Sequence, residues 1–253
     1  MTGVQTCALP ISPAPTADRA LGIGGQPLVQ PDGTVVVPVD NLVETALMTY
    51  RSTDGGASWG PTIQVAPIQR HIVAGGLRSG ALPSAEIDSA GTVFVAWPDC
   101  RFRPVCSSND IVFSRSADGV NWSAPARVPI DPVGSTVDHF IPGLGVDQST
   151  SGDRAHVGLT YYSYPQADCT PTTCRLDVGF ISSTDAGTTW SASSRLNKTS
   201  MELSWLADTS QGRMVGDYIS TSFSNGKAVA VFALAFAPDS GFHESMFAAV
   251  INV

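Results

Sequence analysis

The sequence predicts an all-β protein made by stacking one small supersecondary unit several times. Three observations carry this reading. First, a pattern Ser-x-Asp-x-Gly-x-(Ser/Thr)-Trp recurs. Its copies are Ser52-Thr53-Asp54-Gly55-Gly56-Ala57-Ser58-Trp59, Ser116-Ala117-Asp118-Gly119-Val120-Asn121-Trp122 (one residue shorter) and Ser183-Thr184-Asp185-Ala186-Gly187-Thr188-Thr189-Trp190. Second, the Asp-to-Asp spacing is 64 residues (54 to 118) and then 67 (118 to 185), and near-constant spacing marks stacked units. Third, 24 glycines and 18 prolines punctuate the chain, charged residues are 14%, and no run shows an amphipathic helical period.

The elements follow in order. Each copy of the pattern closes a β-rich run, at 46–50, 111–113 and 177–181. Before each lies an apolar or alternating run that opens on a turn signal. These are Asp32-Gly33 then 34–39, Ala90-Gly91 then 92–97, and Gly152-Asp153 then 154–162. A fourth such unit starts at Asn225-Gly226 and continues through 227–235, with no copy of the pattern behind it. Upstream of the turns, first strands are expected at 26–30, 83–88, 141–147 and 218–223. The units are then 24–66, 81–130, 138–197 and 213–253. A hydrophobic content of 43% is ample for a core. No apolar stretch has the length needed to cross a membrane, and 228–237 reads as a buried strand.

The repeated segment resembles the Asp-box, or BNR repeat, of sialidase-like β-propellers. That resemblance implies a β-propeller of four-stranded antiparallel blades, with about four blades present. Propellers close four to eight blades into a ring, and the sialidase-like kind usually has six, so an incomplete ring is expected. It also implies local roles. Asp54, Asp118 and Asp185 accept hydrogen bonds from their own turns. Gly56, Gly119 and Gly187 supply positive φ. Trp59, Trp122 and Trp190 anchor the hairpins by burying their rings. The competing reading makes the three aspartates catalytic acids or calcium ligands; a carboxylate already satisfied by backbone donors favours the structural one.

Residues 1–11, Met-Thr-Gly-Val-Gln-Thr-Cys-Ala-Leu-Pro-Ile, look like a translated short-read sequencing adapter. The expectation is that they are an artefact of a metagenomic fragment, and that 12–253 is part of a propeller. Its N-terminal blades, and any signal peptide, would then belong to the missing part of the parent chain. A natural N-terminal arm is the alternative. An open arc exposes strand edges, so poor solubility or oligomerisation is expected, with no turnover by the fragment alone.

Setting Cys7 aside, four cysteines form two close pairs, Cys100/Cys106 and Cys169/Cys174, at equivalent places between second and third strands. Two local disulfides are expected, and with them a secreted or cell-surface location. A four-thiolate zinc site is the rival, disfavoured by intervals of five and four residues and by the separation between blades. No cofactor and no metal are expected.

Strand polarity sorts the loops. The Gly turns and the repeated turns share one face, and the cysteine loops and blade connections share the other. In sialidase-like propellers the substrate site is on the second face, near the axis. Residues mapped there are Arg78, Asp99, Arg101, Arg103, Asp138, His139, Tyr161, Tyr162, Tyr164, Glu202, Arg213, Asp217, Tyr218, His243 and Glu244. The resemblance implies three arginines for a substrate carboxylate, a Tyr–Glu nucleophile pair and an Asp general acid. The usual Phe/Tyr-Arg-Ile-Pro string has only Phe140-Ile141-Pro142 as a counterpart here, without the arginine. Candidate catalytic residues are therefore Asp99, Arg101, Arg103, Asp217 and Tyr218, and candidate substrate contacts are Arg78, Arg213 and Tyr162. The bland alternative is that these form ion pairs and strand-start hydrogen bonds. Sequons at Asn121-Trp122-Ser123 and Asn197-Lys198-Thr199 are further candidates.

A net charge of −8 with two lysines argues against nucleic acid and against a basic membrane surface but does not exclude an anionic sugar, and the resemblance implies a carbohydrate or glycoconjugate as the partner. Two functions fit. One is a secreted sialidase-like glycoside hydrolase or glycan-binding propeller. The other is a non-catalytic extracellular Asp-box propeller acting as an interaction scaffold.

Overall fold

A computed structural model describes residues 14–253. The proposed artefact at 1–11, with Cys7, lies outside the described residues. The chain is a β-propeller of four antiparallel blades in sequence order. The first holds β1 (Gly22–Ile23) and β2 (Leu28–Val29), both paired to β3 (Val35–Asn41), then β4 (Ala46–Ser52) and β5 (Ile63–Pro67). The second runs β6 (Ser84–Ile87), β7 (Val93–Asp99), β8 (Asp110–Ser116), β9 (Ala126–Arg127). The third runs β10 (Asp138–Val146), β11 (Val157–Tyr164), β12 (Arg175–Ser183), β13 (Ser194–Arg195), with β14 (Met201–Glu202) on the far end of β12. A hairpin of β15 (Ala207–Thr209) and β16 (Gly212–Met214) precedes the fourth blade, which holds β17 (Ser220–Ser224), β18 (Lys227–Phe236) and β19 (His243–Asn252).

Turn chemistry sets these boundaries. Gly33 (φ 87°) and Gly91 (φ 91°) take left-handed backbone, and the carboxylates of Asp32 and Asp88 accept the N–H groups of Thr34 (2.9 Å) and Thr92 (2.8 Å). Asn225 and Gly226 are both left-handed, the requirement of a two-residue hairpin. The third turn differs from expectation. Residues Gly152–Arg154 make a short 3-10 turn, so the second strand begins at Val157.

The blades stack face to face through three hydrophobic cores. Leu47 and Ala66 of the first blade meet Ala85, Val95, Trp97 and Val112 of the second. Phe94, Ile111 and Phe113 of the second meet Leu144, Val157, Leu159 and Ile181 of the third. Phe140, Tyr162, Tyr164 and Val178 of the third meet Ala230, Phe232 and Ala235 of the fourth, together with Val73 and Leu77 from the long β5–β6 connection. Each core excludes large apolar areas from water, the main favourable term in folding. Among the described residues, no hydrophobic core joins the first blade to the fourth. The fourth blade leaves Met246 (65% exposed) and Val250 (67%) open to solvent.

Near the axis the inner strands approach closely. A side chain at Gly145 would sit 2.4 Å from the Thr221 carbonyl oxygen, and one at Gly143 2.8 Å from that of Ile219. Thr221 Oγ1 donates to the Gly143 carbonyl at 2.7 Å and shares a 2.7 Å hydrogen bond with Thr160 Oγ1. β10 carries a bulge between Phe140 and Gly143, with Ile141 at φ 50°.

Candidate functional site

The two ends of the propeller differ in chemistry. At one end, the three repeated turns share one hydrogen-bond pattern. Asp54 accepts Ser58 N–H (2.9 Å) and Ser58 Oγ (2.6 Å), and Asp185 accepts Thr189 N–H (2.7 Å) and Thr189 Oγ1 (2.6 Å). In the shorter copy Asp118 accepts the N–H groups of Val120 (2.8 Å) and Asn121 (2.7 Å). The opening serine of each copy donates to its aspartate, at 2.7, 3.0 and 2.7 Å. Those donors lower the carboxyls of Asp54 and Asp185 to about 2 and that of Asp118 further. Gly56, Gly119 and Gly187 have φ of 91°, 68° and 83°. Trp122 and Trp190 pack against the hydrophobic cores, and Trp59 is half-buried.

At the other end, the disulfides Cys100–Cys106 and Cys169–Cys174 close loops between second and third strands. The candidate catalytic group Asp99, Arg101 and Arg103 sits here, and its setting corrects the expectation. Asp99 is fully buried. Its carboxylate accepts Trp97 Nε1–H (3.1 Å), Gln69 N–H (3.1 Å) and the Arg101 guanidinium (2.7 Å), so no lone pair faces solvent. Arg103 is also shut away, with its side chain 0% exposed. It lies 2.6 Å from carboxylate oxygens of both Asp110 and Asp131 and donates to the carbonyls of Pro132 and Val133 at 3.0 Å. A group without solvent contact cannot touch a sugar, so Asp99 and Arg103 brace the loop. Asp110, Asp131 and His139 offer ligand atoms within 4.8 Å of one another. The guanidinia of Arg103 and Arg127 already neutralise those carboxylates, with Arg127 2.8 Å from Asp110, so the cluster is an ion-pair network rather than a metal seat.

The candidate substrate contact Tyr162 is corrected in the same way. It is fully buried; its hydroxyl donates to the Ala233 carbonyl and accepts the Ala233 N–H, both at 2.9 Å, tying the third blade to the fourth. Tyr161 and Tyr164 are buried as well. Arg213 donates to the Leu206 carbonyl at 2.7 Å and covers the Phe242 ring at 5.7 Å. Asp138 is buried and accepts Asn109 N–H at 2.7 Å, while burial still pushes its carboxyl up to about 6. Glu202 pairs with Arg175 at 3.3 Å. Asn197 has its amide committed to Val178 N–H (2.8 Å) and the Thr199 carbonyl (2.8 Å), which makes its sequon unusable in the folded chain; Asn121 is exposed.

What remains open is the axis. There residues of all four blades border a cleft of ≈ 230 Å³. Gln26 comes from the first blade, Ser84 and Glu86 from the second, Leu144 from the third, and Tyr218, Ile219 and Ser220 from the fourth. Tyr218 is 51% exposed. Beside it Arg78 and Asp217 form an ion pair at 2.8 Å, held in place because Arg78 N–H donates to the Arg213 carbonyl at 2.7 Å. Arg78 thus pairs with Asp217 beside Tyr218, while Arg213 is committed to the Leu206 carbonyl.

Two acids that the sequence reading passed over stand here, Glu86 in the lining of the cleft and Asp40 buried within reach of the Tyr218 phenol. Glu86 lies mid-way along β6, and burial pushes its carboxyl up to about 7. Asp40, at the end of β3, is fully buried with no hydrogen-bond partner among the described residues, and burial raises it to about 8 against the pull of Arg70. Arg70 itself pairs with Glu44, which also accepts Ala81 N–H at 3.3 Å. Burial, with the charges of Asp217 and Asp40, raises the Tyr218 phenol. The available signal for Glu86 was an acid in the middle of a short innermost strand of small and apolar residues. A second hollow of ≈ 310 Å³ lies alongside, lined by Met214, Val215, Ala233 and Met246, with Glu244 as its charged residue.

No family model matches the chain, and no curated protein matches it. Solved structures do. A Hadza microbial sialidase aligns with 91% of this chain and 44% of its own, at a TM-score of 0.53 and 14% identity. The phage phi92 endosialidase aligns with 88% of this chain and 34% of its own, at 0.53 and 11%. An α-L-arabinanase from Penicillium chrysogenum, solved with arabinobiose, aligns with 94% and 65%, at 0.49 and 13%. The chain spans less than two thirds of the length of each. The likeness to the two sialidases is one of fold and agrees with the propeller described above.

Proposed function

We propose that this chain is the glycan-recognising part of a secreted, sialidase-like Asp-box β-propeller, and that the sugar is held in the axial cleft. The observation that carries the reading is convergence: three separate blades deliver Tyr218, Glu86, Gln26, Ser84 and Ser220 to one hollow. A concave site with an aromatic ring, a few placed polar groups and a carboxyl of raised pKa is the usual form of a small-ligand site. Glu86, raised to about 7, is partly protonated at neutral pH and has the right character for general acid catalysis of glycosidic cleavage. The three turns with shared aspartate chemistry support the Asp-box assignment, and the two disulfides support an oxidising, extracellular setting.

A second reading, a non-catalytic scaffold, draws on one observation. The arginines nearest the axis are spent on partners inside the protein, Arg78 on Asp217 and Arg70 on Glu44. Both readings are tested by incubating the full chain with a panel of fluorogenic glycosides and, in parallel, titrating it with oligosaccharides followed by ligand-observed NMR. Binding that Tyr218→Ala weakens supports the glycan reading. Turnover abolished by Glu86→Gln makes it an enzyme; binding without turnover makes it a lectin-like module. No saccharide contact at all would leave the scaffold.

A further inference from the structure

Resting on that reading of the axial cleft, we infer that the sugar it accepts is uncharged: the site is built for a neutral, hydroxyl-bearing ring, not for a sialic acid or other carboxylated sugar. A carboxylated sugar is gripped by guanidinium forks, because two parallel N–H donors match two carboxylate oxygens. No arginine or lysine lines this cleft among the described residues. The guanidinia closest to it are not available. Arg78 is paired with Asp217 at 2.8 Å and fixed through its backbone, and Arg70 is paired with Glu44.

The charge balance points the same way. Glu86 lines the cleft with Tyr218, Asp217 and Asp40 act on the Tyr218 phenol, and Arg78 is the guanidinium paired with Asp217. A ligand carboxylate would meet Asp217 and the ionised fraction of Glu86, in a protein of net charge −8. To bind through Arg78, it would have to compete with Asp217, which already holds that guanidinium at 2.8 Å. Sugar hydroxyls ask for something else, groups that donate and accept at short range. Gln26 anchors its Oε1 on Ala85 N–H, which leaves its amide donors without a partner among the described residues. Ser220 and the Glu86 carboxyl add two groups that can do both. Tyr218, half-exposed, supplies an apolar ring face with a polar edge.

The experiment is a paired titration of the full chain. Neutral oligosaccharides (lactose, xylobiose, arabinobiose) are compared with carboxylated ones (3′-sialyllactose, a uronic-acid disaccharide) by ligand-observed NMR and calorimetry. The expected result is that a neutral sugar binds and every carboxylated one binds at least about tenfold more weakly, the discrimination that an unpaired ligand charge produces. Glu86→Gln, which removes the ionised fraction of that carboxyl and keeps the shape, should narrow that ratio. Ser220→Arg, placed on an exposed lining position, should bring in carboxylated sugars. If a carboxylated sugar binds more tightly than its neutral counterpart and Arg78→Met removes that preference, the inference is overturned while the glycan reading stands. If no saccharide of either class binds, the glycan reading itself fails.

Discussion

Arg103 and Asp110 face each other at 2.6 Å with side chains 0% and 1% exposed, a charge pair that neither residue shares with water. The Asp110 oxygens meet the guanidinia as charge contacts, without an aligned hydrogen bond. Such a pair adds little over an apolar replacement, but breaking it strands the remaining charge in the interior. Arg103→Ala should therefore cost roughly 3–5 kcal/mol, read by urea unfolding. Arg103→Lys should fail to restore it, because an ammonium cannot reach Asp110, Asp131 and the Pro132 and Val133 carbonyls together.

The turn aspartates make stability fall in acid. Asp54 and Asp185 sit at about 2 in the folded chain against 3.8 as free groups. A depressed carboxyl stabilises the fold above its unfolded value, and that contribution is lost as pH drops from 3.8 towards 2. Melting curves should show Asp185→Ala below wild type at pH 6, with the gap closing over that window. A gap that persists below pH 2 would mean the loss is one of packing.

Glu86 and Asp40 act with the opposite sign. Their folded values, about 7 and about 8, lie above the free values of 4.5 and 3.8. The fold thus prefers both protonated, and stability declines as pH rises from 4.5 to 7 for Glu86 and from 3.8 to 8 for Asp40. Asp40→Asn should raise the melting midpoint at pH 9 relative to wild type and leave it nearly unchanged at pH 4. Equal shifts at both pH values would argue against a buried neutral acid.

The close approach of β10 to β17 predicts intolerance at one glycine. Gly145→Ala places a methyl against the Thr221 backbone, which cannot rotate away. Overpacking of this kind costs typically about 1–3 kcal/mol. The same change at Gly33, where nothing lies within 4 Å, costs only the left-handed conformation. Paired unfolding curves should rank Gly145→Ala as the more damaging.

Each disulfide closes a short loop. Cys169→Ser with Cys174→Ser should cost about 2 kcal/mol by the chain-entropy argument. Thiol titration of the denatured chain without reductant should find no free thiol at these four positions; four titrating thiols would refute the pairing.

Much of the fold was legible because it is written in local chemistry. Asp32-Gly33 and Asn225-Gly226 announce hairpins through backbone conformations that few residues adopt, and the repeated Asp and Trp mark one turn in each of three blades. The cysteine pairs stand at equivalent places, so their bridging was readable too. The site was less legible. Asp99, Arg103 and Tyr162 carry functional chemistry in sequence, yet burial spends it on distant neighbours, such as Asp131, 28 residues from Arg103, and Ala233, 71 from Tyr162. Glu86 went unnoticed for the converse reason. Its role depends on which strands meet at the axis, a long-range property that no spacing records.

The pairwise cores between blades have a mechanical consequence. Each blade leans only on its neighbours, so the chain behaves as a row of cards rather than as a sphere with one centre. Peeling away the fourth blade breaks one core and leaves two whole. Heat should then fray the row from its ends, giving a calorimetric enthalpy larger than the apparent van't Hoff value. The Thr160–Thr221 hydrogen bond and the Tyr162–Ala233 clasp become the latch that decides when the last card lets go.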